Sequence, residues 1–167
     1  MNANDMRIGH GFDVHKFSEV FDAKKPLVLA GLQLPDKRSL VAHSDGDVVL
    51  HAICDAILGA CGAGDIGQHF PDDDESFSGI ASSELLKQVL STLDEKQFWL
   101  VNVDVTVVAQ TPKLSTHRQN MISSLSNLLE LPADRVNLKA TTTEGLGYIG
   151  REEGIACHAV VLLSGAG

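Results

Sequence analysis

Residues 99–110 constrain the fold of this chain more than any other stretch. From Trp99 to Gln110, Val101, Val103, Val105 and Val107 alternate with Asn102, Asp104 and Thr106. A period of two with β-branched residues on one side marks a strand that turns one face to a core and the other to polar surroundings. Such a strand needs neighbours in a sheet and a layer to cover it. Met6–Val14 reads as one neighbour, and Pro26–Leu34 as a second strand folding at Gly31, with Pro35–Ala42 a polar loop. Ser44 through Cys61 reads as a helix with Val49, Ile53, Ala56 and Ala60 on one face, and Ser44 followed by Asp47 resembles a capping box at its start. Gly62–Ser78 is a loop rich in Gly, Asp and Pro, and Ile80–Leu93 is an amphipathic helix. Pro112 to about Leu129 reads as a third helix, with Thr111 as N-cap and Pro112 at the first helical position. Arg135–Thr142 and Ile155–Leu163 are the closing strands. This order predicts an α+β chain: one domain over residues 1–167, a single mixed β-sheet with helices packed on one face, and Met1–Asp5 as a flexible N-terminal extension.

A net charge of −9, from 13 Lys and Arg against 22 Asp and Glu, argues against nucleic acid and anionic membrane as partners, since both need a basic footprint. A small phosphorylated ligand is still compatible, held by metal ions, helix N-termini and a few placed cations. Cys54, Cys61 and Cys157 make an odd count with no CxxC, so no disulfide framework is expected. The N-terminus is too short and polar for a signal peptide, and no apolar run is long enough to span a membrane. These features predict a bacterial-type cytoplasmic protein.

Asp13 and His15 stand two apart at a strand end, so their side chains point the same way. Two such ligands joined by a His from elsewhere make a catalytic metal arrangement that leaves a position open for substrate. His51 is the candidate third ligand. Asp47 and Asp55, each four residues from it, share its helix face, and one of them could orient the imidazole. The plain alternative is a set of surface histidines beside an acidic helix start, and spacing does not choose between them. His43 precedes the helix start, where an anion is favoured, and could equally be an exposed loop residue.

Gly62, Gly64 and Gly67 spell GxGxxG, but the motif follows a helix and leads into an acidic run, so it is not a dinucleotide fingerprint. Lys113 falls in the first turn of the third helix, where a cation makes sense only beside a docked anion; otherwise it is a surface lysine. Thr141, Thr142, Thr143 and Glu144 end a strand ahead of Gly145. Hydroxyls and a carboxylate there suit phosphate oxygens and Mg²⁺, though a Thr-rich edge strand has the same composition. Arg151 and Glu153 lie near in a Gly-flanked loop and could pair with each other or with a ligand.

Together these segments resemble the 2-C-methyl-D-erythritol 2,4-cyclodiphosphate synthases of non-mevalonate isoprenoid biosynthesis. The likeness runs from Met6 to Leu163. It is carried by RIGHGFDVH at residues 7–15, AHSDGDV at 42–48 reaching to His51, GDIG at 64–67, FPD at 70–72, ATTTE at 140–144 and GREEGIA at 150–156. Small departures fall at Ser115, Tyr148 and Glu152, away from the ligand positions. The resemblance implies a homotrimer with active sites between subunits. It implies Zn²⁺, or Mn²⁺, on Asp13, His15 and His51, and Mg²⁺ or Mn²⁺ on Glu144 bridging the phosphates of a cytidine diphosphate ester. Ala109, Gln110, Thr111, Pro112, Lys113, Leu114 and Ser115 would hold the nucleotide, with Thr141, Thr142 and Thr143 beside them. Asp65, Ile66 and Gly67, with Phe70, Pro71, Asp72, Asp73 and Asp74, would line the methylerythritol part from the adjoining subunit. His43 and Ser44 would contact phosphate, with Thr142 and His43 stabilising the five-coordinate phosphorus. Tyr148 and Arg151 would contact substrate, and a channel along the trimer axis, lined near Arg151, would suit an isoprenoid diphosphate.

The implied reaction is attack of a substrate 2-phosphate on the β-phosphorus of its own diphosphate, releasing CMP. It needs no protein nucleophile, in keeping with the lack of a convincing Ser/His/Asp or Cys/His set. Two other classes fit parts of the pattern: a metal-dependent phosphohydrolase, and a noncatalytic module that binds a cytidine nucleotide or an isoprenoid phosphate.

Overall fold

Two glycines set how the main helix meets the sheet. In the first strand, β1 (Met6–Lys16), Gly9 and Gly11 face inward. A Cβ at Gly9 would lie 1.8 Å from the carbonyl oxygen of Ala56, and one at Gly11 would lie 1.9 Å from that of Ala52. Helix α1 (Val48–Cys61) therefore rests on the bare backbone of β1, with Ala52, Ala56 and Ala60 as its contact row. Every residue of α1 except Asp55 and Gly59 is buried, so it is a central core helix and not one with a single apolar face.

The computed structural model describes residues 5–71, 74, 77 and 79–165. Most of the expected flexible extension, residues 1–4, lies outside them. Between β1 and α1 comes a hairpin of β2 (Val28–Leu29) and β3 (Leu32–Gln33). Its two-residue turn, Ala30 and Gly31, has positive φ at both positions, as the twist of a tight hairpin requires. After α1 follow the short α2 (Ile66–His69), α3 (Ser82–Glu95), β4 (Phe98–Val108), α4 (Arg118–Leu128), β5 (Val136–Thr141), the short α5 (Gly147–Gly150) and β6 (Gly154–Gly165). The main sheet has the order β1-β6-β4-β5, with only the β4–β5 pair parallel. The α+β class and the mixed sheet thus agree with the sequence reading.

Three local expectations change. Val101 is not part of the inward row of β4. Leu100 pairs with Leu163 and Asn102 with Leu162, so Val101 is the extra residue of a bulge. Phe98 and Leu100 pack on the core before it, and Val103, Val105 and Val107 after it. Helix α1 is capped by Asp47, whose carboxylate accepts the N–H groups of Val49 and Leu50, and not by Ser44. The third helix starts only at Arg118, after a 3₁₀ turn at Leu114–Thr116. Thr111 lies too far before this start to cap it, and its hydroxyl accepts from Arg38 instead.

Candidate metal centre and neighbouring pockets

The C-terminal half of β1 carries Asp13 and His15 on the same side as Gly9 and Gly11, facing the start of α1. His51 meets them from the first turn of that helix. The three ligand atoms form a nearly equilateral triangle. Asp13 Oδ2 is 3.1 Å from His15 Nε2 and 3.1 Å from His51 Nδ1, and the two nitrogens are 3.0 Å apart. Edges of this length let one ion sit roughly 2.0–2.1 Å from all three atoms with its remaining positions open. Among the described residues these three are the cluster that fits a divalent metal. The electrostatics fit as well. Burial opposes charge on Asp13, but hydrogen bonds and charge from His15 and His51 outweigh it and hold the carboxyl well below the usual carboxylate range. Burial likewise opposes a charged His51, yet Asp13, Asp47 and Asp45 push its pKa up.

Neither Asp47 nor Asp55 orients His51, contrary to the expectation from helix spacing. Asp47 turns to backbone: beside its two α1 donors it accepts the N–H groups of Ala30 (2.9 Å) and Gly31 (2.6 Å). Burial pushes its carboxyl up to about 6 against those donors. Asp55 accepts the N–H of Ile66 at 2.8 Å and so ties α2 back to α1. The outer nitrogen of His51, Nε2, lies 2.8 Å from Ser82 Oγ and 3.1 Å from Ser44 Oγ. Ser82, fully buried at the start of α3, also donates to Asp45. Sequence reasoning missed Ser82, whose only local signal is a helix start.

A cavity of about 340 Å³ opens on the triad, and His43, Ser44, Ile66, Gly67 and Phe70 are in its lining. His43 Nε2 is buried there without a hydrogen-bond partner among the described residues. Ile66, Gly67 and Phe70 reach the cavity beside the triad of their own chain. The bond from Ile66 to Asp55 folds them back beside the ligands. Asp65 caps α2 and bonds to Gln68. Pro71 and Asp74 do not line the cavity, and Asp72 and Asp73 lie outside the described residues.

A second pocket, of about 370 Å³, is lined by Ala109, Gln110, Pro112, Lys113, Leu114, Ser115, Arg118, Ala140, Thr141 and Thr142. It gathers most of the expected nucleotide residues. Lys113, however, precedes the 3₁₀ turn and is not in the first turn of α4, so the helix-dipole argument for it does not hold. Arg118, the first residue of α4, lines the pocket instead as a cation the sequence reading did not single out. Thr142 Oγ1 lies 3.0 Å from Glu144 Oε1 and fixes that carboxylate. Neither residue lines the triad's cavity.

The remaining candidates lie elsewhere. Tyr148 and Thr143 line a third pocket with Phe12, Val108 and His158. Arg151 is exposed and pairs with Glu153 at 2.7 Å. Ile8, Phe12, Val14 and Val160, all exposed, share with His10 and His158 the sheet face turned away from α1.

The chain matches the family model described as YgbB family over residues 6–164. It is 56% identical over 158 residues to a 2-C-methyl-D-erythritol 2,4-cyclodiphosphate synthase of Idiomarina loihiensis, covering 95% of this chain and 97% of that protein. It is 53% identical over 157 residues to the protein of that name from Francisella tularensis subsp. novicida, covering 94% and 97%. Among solved structures, IspF of Plasmodium falciparum in a CDP complex superposes with a TM-score of 0.84 at 37% identity, covering 99% of this chain and 100% of that one. The bifunctional IspDF of Campylobacter jejuni superposes at 0.90 with 48% identity over 97% of this chain, which spans 43% of that longer protein.

Proposed function

Because the chain belongs to the YgbB family, we propose that it converts 4-diphosphocytidyl-2-C-methyl-D-erythritol 2-phosphate to 2-C-methyl-D-erythritol 2,4-cyclodiphosphate with release of CMP, as a metal-dependent cyclising phosphorus–oxygen lyase. The observation that carries this reading is the open triangle of Asp13, His15 and His51 on a cavity lined by His43 and Ser44, in a chain whose full-length relatives bear that name. Zn²⁺ or Mn²⁺ on the triad, and Mg²⁺ or Mn²⁺ on Glu144, would supply the Lewis acidity that offsets repulsion between two phosphate groups.

The chain's own groups bind and orient. His43, whose Nε2 has no hydrogen-bond partner among the described residues, would meet a phosphate oxygen. The oxygen of Ser44 accepts from the Gly46 N–H, which leaves the hydroxyl proton for the substrate. Ile66, Gly67 and Phe70 give the wall for the methylerythritol carbons, with Asp65 beside them. The pocket of Ala109–Ser115, Thr141 and Thr142 takes the cytidine nucleotide, with Thr143 adjoining it, and Lys113 and Arg118 counter its charge. An oxygen of the 2-phosphate attacks the β-phosphorus, and the bond from that phosphorus to the bridging oxygen breaks. CMP leaves with that oxygen. Thr142 and His43 steady the charge at phosphorus by hydrogen bonds. The step needs no protein nucleophile, and burial pushes the thiols of Cys54, Cys61 and Cys157 up.

Within one chain the triad cavity and the nucleotide pocket share no lining residue. This supports a homotrimer in which a neighbour's nucleotide pocket completes each site, and the apolar residues exposed on the outer sheet face give the chains a surface to associate on. The third pocket, near Tyr148 and Arg151, would then adjoin a central cavity for an isoprenoid diphosphate. We read residues 1–167 as one domain working in the cytoplasm; no helix among the described residues is long and apolar enough to cross a membrane. Incubating the purified protein with the diphosphocytidyl substrate, with and without chelator, tests the reading. CMP should appear only in the chelator-free sample, and equal release in both samples would reject it.

A further inference from the structure

We propose that Ser82 and Asp45 form a positioning relay that holds the His51 ring with its proton on Nε2, leaving Nδ1 to bind the metal. The inference rests on the metal reading of the triad and assigns work to two residues outside it. The argument is one of donors and acceptors. Ser82 Oγ lies within hydrogen-bond distance of both Asp45 Oδ1 and His51 Nε2. A hydroxyl has one proton, and an ionised carboxylate can only accept. The Ser82 proton therefore goes to Asp45, and Ser82 Oγ must accept from His51. That requires hydrogen on Nε2, and in a neutral ring it leaves the lone pair on Nδ1, the atom that faces Asp13 and His15. A ligating histidine whose second nitrogen is held in this way keeps its orientation and basicity.

Asp45 is itself fixed. Its Oδ1 accepts the N–H of Asp47 at 3.2 Å, and its Oδ2 accepts the N–H of Ser82 at 3.1 Å. The second bond anchors the first turn of α3, which has no side-chain cap of its own at Ala81. It uses the backbone, so it survives any substitution of the Ser82 side chain. Ser82→Ala removes the relay and keeps the anchor.

Zinc affinity by competition with a chromophoric chelator, together with the imidazole tautomer from nitrogen NMR of the metal-free protein under mildly alkaline conditions, reads the relay without reference to turnover. Ser82→Ala should bind zinc about 10- to 100-fold more weakly and show a mixture of His51 tautomers. Ser82→Thr, which keeps the hydroxyl, should recover most of the affinity. Asp45→Asn should weaken zinc in the same direction, because either amide orientation sets an NH₂ against a backbone N–H; it serves if Ser82→Ala does not fold. Wild-type affinity and a single Nε2–H tautomer in a folded Ser82→Ala protein would overturn the relay while leaving the metal reading intact. Zinc binding unchanged by His15→Ala would overturn the metal reading itself, and the relay with it.

Discussion

Asp47 and His51 sit one helical turn apart and do opposite jobs. Asp47 is wholly buried and answers four backbone N–H groups, two in α1 and two in the hairpin turn. Asp47→Ala removes a helix cap and leaves two hairpin N–H groups unanswered, so it should lower unfolding stability by about 3 kcal/mol, read by urea denaturation. His51 carries the metal site's pH dependence. Its pKa is raised above the ordinary histidine value in the metal-free protein. Below that raised pKa a proton occupies the ring, and the metal must displace it. Zinc affinity should therefore fall about tenfold per pH unit on acidification through this range and level off at alkaline pH. A flat profile from pH 6 to 8 in a zinc titration would contradict this assignment. The ligands were legible because an i, i+2 pair on a strand shares a side whatever the fold does. The partner of His51 Nε2 was not, because Ser82 arrives from a separate helix 31 residues further on, and no local rule links the two. The four-residue spacing of Asp47 and Asp55 pointed to a contact that backbone donors had already claimed.

At the level of elements, the β1–α1 contact fixes the geometry of the ligands. Its close approach depends on Gly9 and Gly11, and nothing in the sequence of a single strand shows what they face. Gly11→Ala would place a methyl 1.9 Å from the Ala52 carbonyl oxygen, so α1 must lift off β1. We expect a loss of at least about 3 kcal/mol together with weaker zinc binding, since His51 rides on α1 while Asp13 and His15 stay on β1. Denaturation and zinc titration of the same variant check both. The alternation in β4 gave the strand and most of its inward face; it could not show Val101 as a bulge, because a bulge is a property of the pairing with β6. The third helix was misplaced at its start for a related reason. Thr-Pro has the composition of a helix beginning, but the chain first makes the 3₁₀ turn at Leu114–Thr116, and the Thr111 hydroxyl accepts from Arg38 of a distant loop. The late start puts Arg118, and not Lys113, in the helix's first turn.

On the scale of the whole molecule, the separation of the metal cavity from the nucleotide pocket within one chain is the fact that most shapes function. If each site is completed by a neighbour, His15→Ala and Lys113→Ala should each be nearly inactive alone. Co-expressed, they should regain part of the activity, because some interfaces then join an intact triad to an intact nucleotide pocket. A mixture no more active than its parents would count against shared sites. Composition and periodicity describe how one chain buries its own surface, so they carry no sign of sites shared between chains. An intramolecular phosphate attack at the triad, in place of activation of water, makes a distinct isotopic prediction. Turnover of the diphosphocytidyl substrate in ¹⁸O-enriched water, with mass spectrometry of the products, tests it most directly: the cyclic diphosphate and CMP should both carry no label, whereas a linear product bearing one ¹⁸O would show a metal-dependent hydrolase instead.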